Sequence, residues 1–401
     1  MTKKNKNKQK LVNELPTSDD VALNHSRELQ ARICDLINSN EGQISFERFM
    51  RMALYEPGLG YYSAGASKIG EAGDFVTAPE ISSLFSICLA RQCAEIMTQV
   101  NRPVLLEVGA GSGRMAADIL YELQQLDSLP DKYQILETSA DLRERQKQYL
   151  KNTIPDIYSR VSWLDAIPEE SFEGVLLANE VLDALPVRRF RVTGDKLNEL
   201  GVVFQEEQFQ YVSHAADESF VARIESVLGA DLANYQDDYV SELNDMLDEW
   251  LMSLLSPLGK GAALFIDYGY PRHEYYHPQR DQGSLLCHYR HRVHSDPFIN
   301  IGLQDITASV DFTALAEAAD KANVQVSGYT TQAFFLLACG LEQILEEKMD
   351  VCERTQIELK RQVKLLTLPA EMGERFKVMA LSRNLNMPLK GFSVVDHRRK
   401  L

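Results

Sequence analysis

The chain has few tryptophans, scattered cysteines and no long apolar run. There are two Trp and six Cys in 401 residues. The cysteines (34, 88, 93, 287, 339 and 352) form no CxxC pair and no zinc spacing. They read as reduced thiols, so neither a disulfide framework nor a metal is expected. The longest apolar stretch, 333–341, falls far short of the roughly 20 residues of a spanning helix, so no membrane insertion is expected. The opening MTKKNKNKQK has five lysines, no arginine and no apolar h-region. It matches neither a secretory signal nor a mitochondrial presequence, and the expected location is cytoplasmic. Basic residues are outnumbered, 42 Lys and Arg to 58 Asp and Glu, for a net charge of −16. An acidic surface disfavours nucleic acid and suits a basic partner; plain solubility is the simpler explanation. The rest of the composition, 45% hydrophobic and 25% charged, excludes a disordered or collagen-like chain. The length suits two or three domains, or one α/β domain with insertions.

Residues 1–24 read as a partly basic tail. Leu29, Ile33, Leu36 and Ile37 share one helical face, and a second helix is expected from Ser45, its cap, to Leu54. The Gly- and Pro-rich stretch 55–80 reads as a long functional loop, and 82–97 as helix. Strands are expected at 103–111, 132–139, 160–164, 174–181 and 261–270, alternating with helices at 113–126, 140–150 and 239–255. Apolar strands between helices predict an α/β fold, a parallel sheet covered on both faces. An insertion at about 187–258 opens with short antiparallel strands. A His-rich region at about 271–310 looks irregular. Helices at 312–322 and 331–348, a strand at 324–329 and a last strand at 375–384 complete the chain. The expected division is a tail (1–24), an N-terminal helical and loop cap over the cofactor site (25–100), and a core (101–401).

The central motif is Glu107-Val-Gly109-Ala110-Gly111-Ser-Gly113, between a strand and a helix. Glycines there let the backbone turn sharply and approach a ligand. A dinucleotide fingerprint would need a small residue at 114, where Arg114 stands. The E-x-G-x-G-x-G spacing instead suits S-adenosylmethionine (SAM). Glu137 ends the second strand, where a carboxylate can take both ribose hydroxyls, with Thr138 beside it. Asp165 and Ala166 follow the third strand, where Asp165 can accept from an adenine amino group. Asn179 and Glu180 end the fourth, with Asp183 three residues on. These strand tips share one crevice.

The stretches FERFMRMALYEPGLGYY (46–62), IGEAGDFVTAPEIS (69–82), LLEVGAGSGRMAADIL (105–120), ANEVLDALPVRRF (178–190), LFIDYGY (264–270) and LQDITASVDF (303–312) resemble the MidA-like family of SAM-dependent methyltransferases, which includes a mitochondrial complex I assembly factor that methylates arginine. The resemblance runs from about residue 30 to the C-terminus. It implies a Rossmann-like, seven-stranded class I methyltransferase sheet with an N-terminal helical extension and insertions. It also implies SAM as cofactor, S-adenosylhomocysteine as product, and a protein arginine as acceptor, on a respiratory complex I subunit or its homologue. Gly73, Phe75 and Thr77 join the expected cofactor contacts.

A guanidinium stays protonated at ordinary pH, with a pKa above about 12. Carboxylates can hold it in a bidentate pair and take up the lost proton. Glu180 and Asp183 are the candidates, then Asp74 of the GDF segment. Their plainer roles are cofactor contact, helix capping and turn formation. His288, His291 and His294 have the spacing of one helical face, but their charged neighbours argue against a metal; His291 is the candidate proton acceptor. Asp267 and Tyr268 are expected near the pocket, and Asp305 as an orienting residue. The alternatives are a SAM-binding assembly chaperone with little turnover, a small-molecule methyltransferase, and an NAD-dependent oxidoreductase, which Arg114 disfavours. The oligomeric state is open, a homodimer included.

Overall fold

The computed structural model describes residues 16, 20–63, 76–229, 232–350 and 352–401. Gly73, Asp74 and Phe75 lie outside the described residues. The chain forms two compact units, each assembled from three segments. One comprises 1–75, 184–245 and 276–308; the other comprises 76–183, 246–275 and 309–401. This differs from the linear cap-and-core division expected above. The N-terminal segment and most of both insertions make one unit, while 76–100 and 246–258 belong with the sheet.

The second unit is built on a mostly parallel sheet. Its strands are β1 (Val104–Val108), β2 (Lys132–Leu136), β3 (Val161–Leu164), β4 (Phe172–Asn179), β5 (Leu258–Tyr270), β6 (Gln325–Thr331) and β7 (Phe376–Arg383). Among the described residues the order is β3-β2-β1-β4-β5-β7-β6, with a short Val310–Asp311 strand beside the end of β5. The first five run parallel, and β7 is antiparallel to both its neighbours. Strand apolarity on both faces is used in full. Leu105, Val175, Leu177, Ala262 and Leu264 pack in one cluster with Phe85 and Leu89 of α1 (Ser83–Met97) and Ile119 and Leu120 of α2 (Arg114–Gln125). Leu106, Leu176, Ala263 and Phe265, pointing the other way by strand alternation, are also fully buried. Trp250 of α4 (Leu247–Leu255) stands edge-on to Phe265. The helix α3 (Ala140–Thr153) starts at Ser139, whose hydroxyl accepts from Leu142 N at 3.4 Å. The single helix expected over 331–348 is broken, because Gly340 takes a left-handed φ of +92° between Gln332–Ala338 and Leu341–Glu347.

The first unit packs helix Asp20–Ser39, through Leu29, Ile33 and Ile37, against Phe46 and Phe49 of helix Phe46–Tyr55. Ser45 caps the second helix as expected, accepting from Arg48 N at 3.1 Å. An antiparallel sheet of Ile44–Ser45, Arg188–Thr193, Lys196–Gln205, Gln208–Ala215 and Tyr239–Leu243 completes this core. Tyr239–Leu243 was expected as the start of a helix. It is a strand because its backbone pairs with Arg188–Val192 and because buried Glu242 is drawn to buried Arg189 at 3.0 Å. A lone buried charge is costly, so this pair sets the segment's place. The His-rich region is likewise ordered, as strands Leu286–Tyr289, Arg292–His294 and Asp305–Thr307.

Gly174 and Gly261 face each other across β4 and β5 with φ near +140°. A Cβ on Gly174 would lie 2.1 Å from Val104 O, and one on Gly261 1.8 Å from Gly174 O. Gly174→Ala should therefore force β1 and β4 apart, costing on the order of 3 kcal/mol, read as a lower denaturant midpoint.

Candidate active site at the carboxyl edge of the sheet

β1 lies where the strand order reverses, between β2 and β4, and open α/β sheets bind ligands outside that point. There Gly109, Gly111 and Gly113 take φ of +66°, +54° and +84°, conformations costing an L-residue roughly 1–2 kcal/mol. Gly109 N donates to Leu136 O at 3.0 Å, and Gly113 N to Ala110 O at 2.8 Å. The chain thus turns sharply into α2 with Gly109 exposed and Ala110 buried. Ser112 accepts from Arg114 N and donates to Glu80, whose carbonyl accepts from the Arg114 guanidinium at 3.3 Å. Thr77 caps the short helix that carries Glu80, its carbonyl accepting from Glu80 N at 3.0 Å.

Glu107 is placed differently from the strand-tip acids. It is fully buried in β1. Tyr133 donates to Oε2 at 2.7 Å, and Oε1 has no partner among the described residues. Burial, with the Glu137 carboxylate adding to it, pushes Glu107 up to about 7.

Glu137, after β2, is almost wholly buried. Ser139 N donates to Oε1 at 2.9 Å and Gln146 Nε2 to Oε2 at 3.1 Å. Burial raises its pKa against these donors and the Arg143 charge. Thr138, Asp165 and Ala166 are exposed. Asp165 is engaged by Arg143 at 2.6 Å, while the same guanidinium donates to Glu137 O and Leu164 O. Asn179 donates to Glu180 at 3.3 Å, and its buried Oδ1 has no partner among the described residues.

The turn after β4 is held by Asp267 of β5. One oxygen of this buried carboxylate accepts three successive amides, Val181 N, Leu182 N and Asp183 N, at 3.2, 2.9 and 3.2 Å. The other accepts from Tyr268 N at 2.9 Å. Burial and the Asp183 and Glu180 charges push Asp267 upward; the four N–H donors oppose this. Glu180 takes a left-handed φ of +52° where the strand gives way to this turn. Asp183 is buried, and Tyr268 donates to its Oδ2 at 2.7 Å. Glu180 and Asp183 thus sit on one braced turn beside Asn179.

His291 belongs to the first unit, exposed at the tip of the 286–294 hairpin with φ +60°. His288 and His294 lie on the two strands of that hairpin, so the three histidines share no helical face. Asp305, buried in the same unit, accepts from Tyr62 OH at 2.9 Å.

Sequence reading missed Arg143, Gln146 and Glu80 as parts of this edge, and the anchoring role of Asp267. Arg143 and Gln146 had a faint signal: a polar pair at i, i+3 near the start of the helix after a strand tip.

The residues present fit a nucleoside cofactor. The loop is open to close approach, Glu137 offers a lone-pair direction, and Asn179 Oδ1 awaits a donor. A family model for S-adenosyl-L-methionine-dependent methyltransferases matches residues 88–330. The chain belongs to this family. A Burkholderia thailandensis protein crystallised with S-adenosyl-homocysteine is 41% identical, with a TM-score of 0.92 over 97% of this chain and all of that one. Two curated relatives are named protein arginine methyltransferase NDUFAF7 or its homolog, mitochondrial. The Bos taurus protein is 30% identical, covering 85% of this chain and 80% of the relative; the Caenorhabditis elegans protein is 27% identical, with 85% and 83% covered. The expected family, fold class and cofactor are borne out, and the methyltransferase uses SAM. The cytoplasmic placement is overturned, because the curated relatives are named as mitochondrial; the Burkholderia relative is bacterial. No helix among the described residues is long and apolar enough to cross a membrane.

Two measurements test this edge. A side chain at Gly111 would be strained and would intrude on the loop, so Gly111→Val should weaken SAM binding roughly tenfold or more by calorimetry. Glu107 is raised from 4.5 to about 7 on folding. Its contribution to stability is present below 4.5 and lost as pH rises through 7. Glu107→Gln should therefore flatten the fall in melting temperature between pH 5 and 8.

Proposed function

We propose that this methyltransferase acts on an arginine of a protein substrate. The observation that carries this reading is the turn after β4. Glu180 and Asp183 stand there on a segment braced by Asp267, two carboxylates three residues apart on one turn, with Tyr268 OH donating to Asp183. Carboxylates held that way attract a guanidinium. The naming of the curated relatives as protein arginine methyltransferases supports the same acceptor.

The bound cofactor supplies an electrophilic methyl group on a cationic sulfur. Glu137 holds the ribose, and the glycine loop lets the backbone come close to the methionine portion. Glu180 and Asp183 grip the guanidinium and aim one nitrogen at the methyl carbon. With the cofactor bound, methyl transfer to that nitrogen would leave the bonding pair on sulfur, giving S-adenosylhomocysteine, and a carboxylate oxygen of the pair would take the proton the nitrogen loses. Holding both reactants in line supplies most of the rate gain. Asp74 and His291 are further candidates for the proton, with Gly73, Phe75 and Thr77 as cofactor contacts.

Glu180→Gln and Asp183→Asn should each leave SAM affinity within about threefold and slow methylation by roughly 100-fold, typical for loss of a positioned acid–base group. Tritiated SAM, added with the purified protein to lysate from cells lacking it, should label one band that yields methylarginine on hydrolysis; a respiratory complex I subunit is the first band to look for. Labelled small molecules without a labelled protein would overturn the acceptor assignment. Unchanged rates in both variants would remove the clamp.

A further inference from the structure

Gln146 projects from α3 and is fully buried. Its amide makes three hydrogen bonds to three elements of the candidate site. Nε2 donates to Gly111 O of the glycine loop at 2.9 Å and to Glu137 Oε2 at 3.1 Å. Oε1 accepts from Trp163 Nε1 on β3 at 2.8 Å. Only one orientation of the amide satisfies all three, since its two acceptor partners require the NH2 and its one donor partner requires the oxygen. The stem is held as well: a Cβ added at Gly113 would touch Gln146 Cα, Cβ and Cγ at 3.5–3.6 Å.

We infer that Gln146 is a positioning residue for ribose recognition, acting through Glu137 and locking that carboxylate to the glycine loop and to β3. The inference rests on the reading of Glu137 as the ribose acceptor. A carboxylate has about four lone-pair directions. Ser139 N takes one on Oε1 and Gln146 Nε2 takes one on Oε2. The Thr138 N–H is a third donor to this carboxylate, and a lone-pair direction remains for a ribose hydroxyl. These donors are neutral dipoles that orient the carboxylate, and the nearby Arg143 charge favours its ionised form. Arg143, three residues earlier on α3, bonds the backbone carbonyls of Glu137 and Leu164 and the Asp165 carboxylate instead. The two side chains divide the work: Arg143 ties the strand tips together, and Gln146 aims the carboxylate. Because the same NH2 also holds Gly111 O, a shift in the loop is felt at Glu137, which couples the methionine and ribose ends of the cofactor site.

Competition against labelled S-adenosylhomocysteine tests this with two probes, adenosine and 2′,3′-dideoxyadenosine. Wild-type protein should prefer adenosine by roughly tenfold or more, as for hydrogen bonds to a charged acceptor. In Gln146→Met, which keeps the length and fills the space, that preference should fall to within about threefold, with dideoxyadenosine affinity little changed. Gln146→Glu, which sets a second carboxylate beside Glu137 and the Gly111 carbonyl, should bind adenosine more weakly than Gln146→Met. Melting curves report whether each variant is folded, and the Glu variant carries the test if the Met variant is not. A merely structural role would weaken both probes equally, so an unchanged preference in a folded variant overturns the inference. If wild-type protein itself fails to distinguish the probes, the ribose reading of Glu137 falls, and the role of Gln146 falls with it.

Discussion

The carboxyl edge of the sheet depends on buried carboxylates held in place by neutral dipoles. Glu107, Glu137, Asp183 and Asp267 are all buried there. Their described direct partners are a tyrosine hydroxyl on Glu107, backbone N–H groups and one amide on Glu137, a tyrosine hydroxyl on Asp183, and four backbone N–H groups on Asp267. Dipoles of this kind stabilise a carboxylate in place but leave the local potential negative. Such an edge is ready for a positively charged ligand, and the family's cofactor carries a positive sulfur.

Asp267 shows how the fold obtains this arrangement. A strand-end residue of β5 reaches across to the turn after the neighbouring strand and accepts three consecutive amides on one oxygen. That contact shapes the turn, which needs a left-handed Glu180. Such conformations persist where the surroundings over-determine them, and they cluster at functional sites. The chain leaves the sheet-based unit immediately after Asp183, so the braced turn is also where one unit ends and the other resumes.

Much of the sheet was legible because its central strands, such as Gly174–Ala178 and Gly261–Ile266, are apolar runs and its helices follow the helical period. The Ser45 cap, the helix after Ser82 and the strand tips at Glu137 and Asn179 were readable for the same local reasons. The errors arose where a partner distant in sequence decided the outcome. Tyr239–Leu243 has the apolar content of a helix start, but pairing with Arg188–Val192 and the Arg189–Glu242 contact make it a strand. CHYRHRVH has a three-residue histidine spacing, but a turn at Arg290 and His291 folds it into a hairpin. Gln146 and Arg143 look like the solvated face of an amphipathic helix until β2 and β3 are placed beside it.

Local order in this protein follows from the linear pattern: which segments are strands of a covered parallel sheet, where the glycine loop turns, and which acids fall at strand tips. Those properties depend on nearest neighbours along the chain and on period. The grouping of the N-terminal helices with two distant insertions into one unit depended on the folded chain. So did the burial of Glu107, the exposure of His291, and the three bonds of Gln146. Each depends on how separate elements pack together, and its free energy exists only once they do.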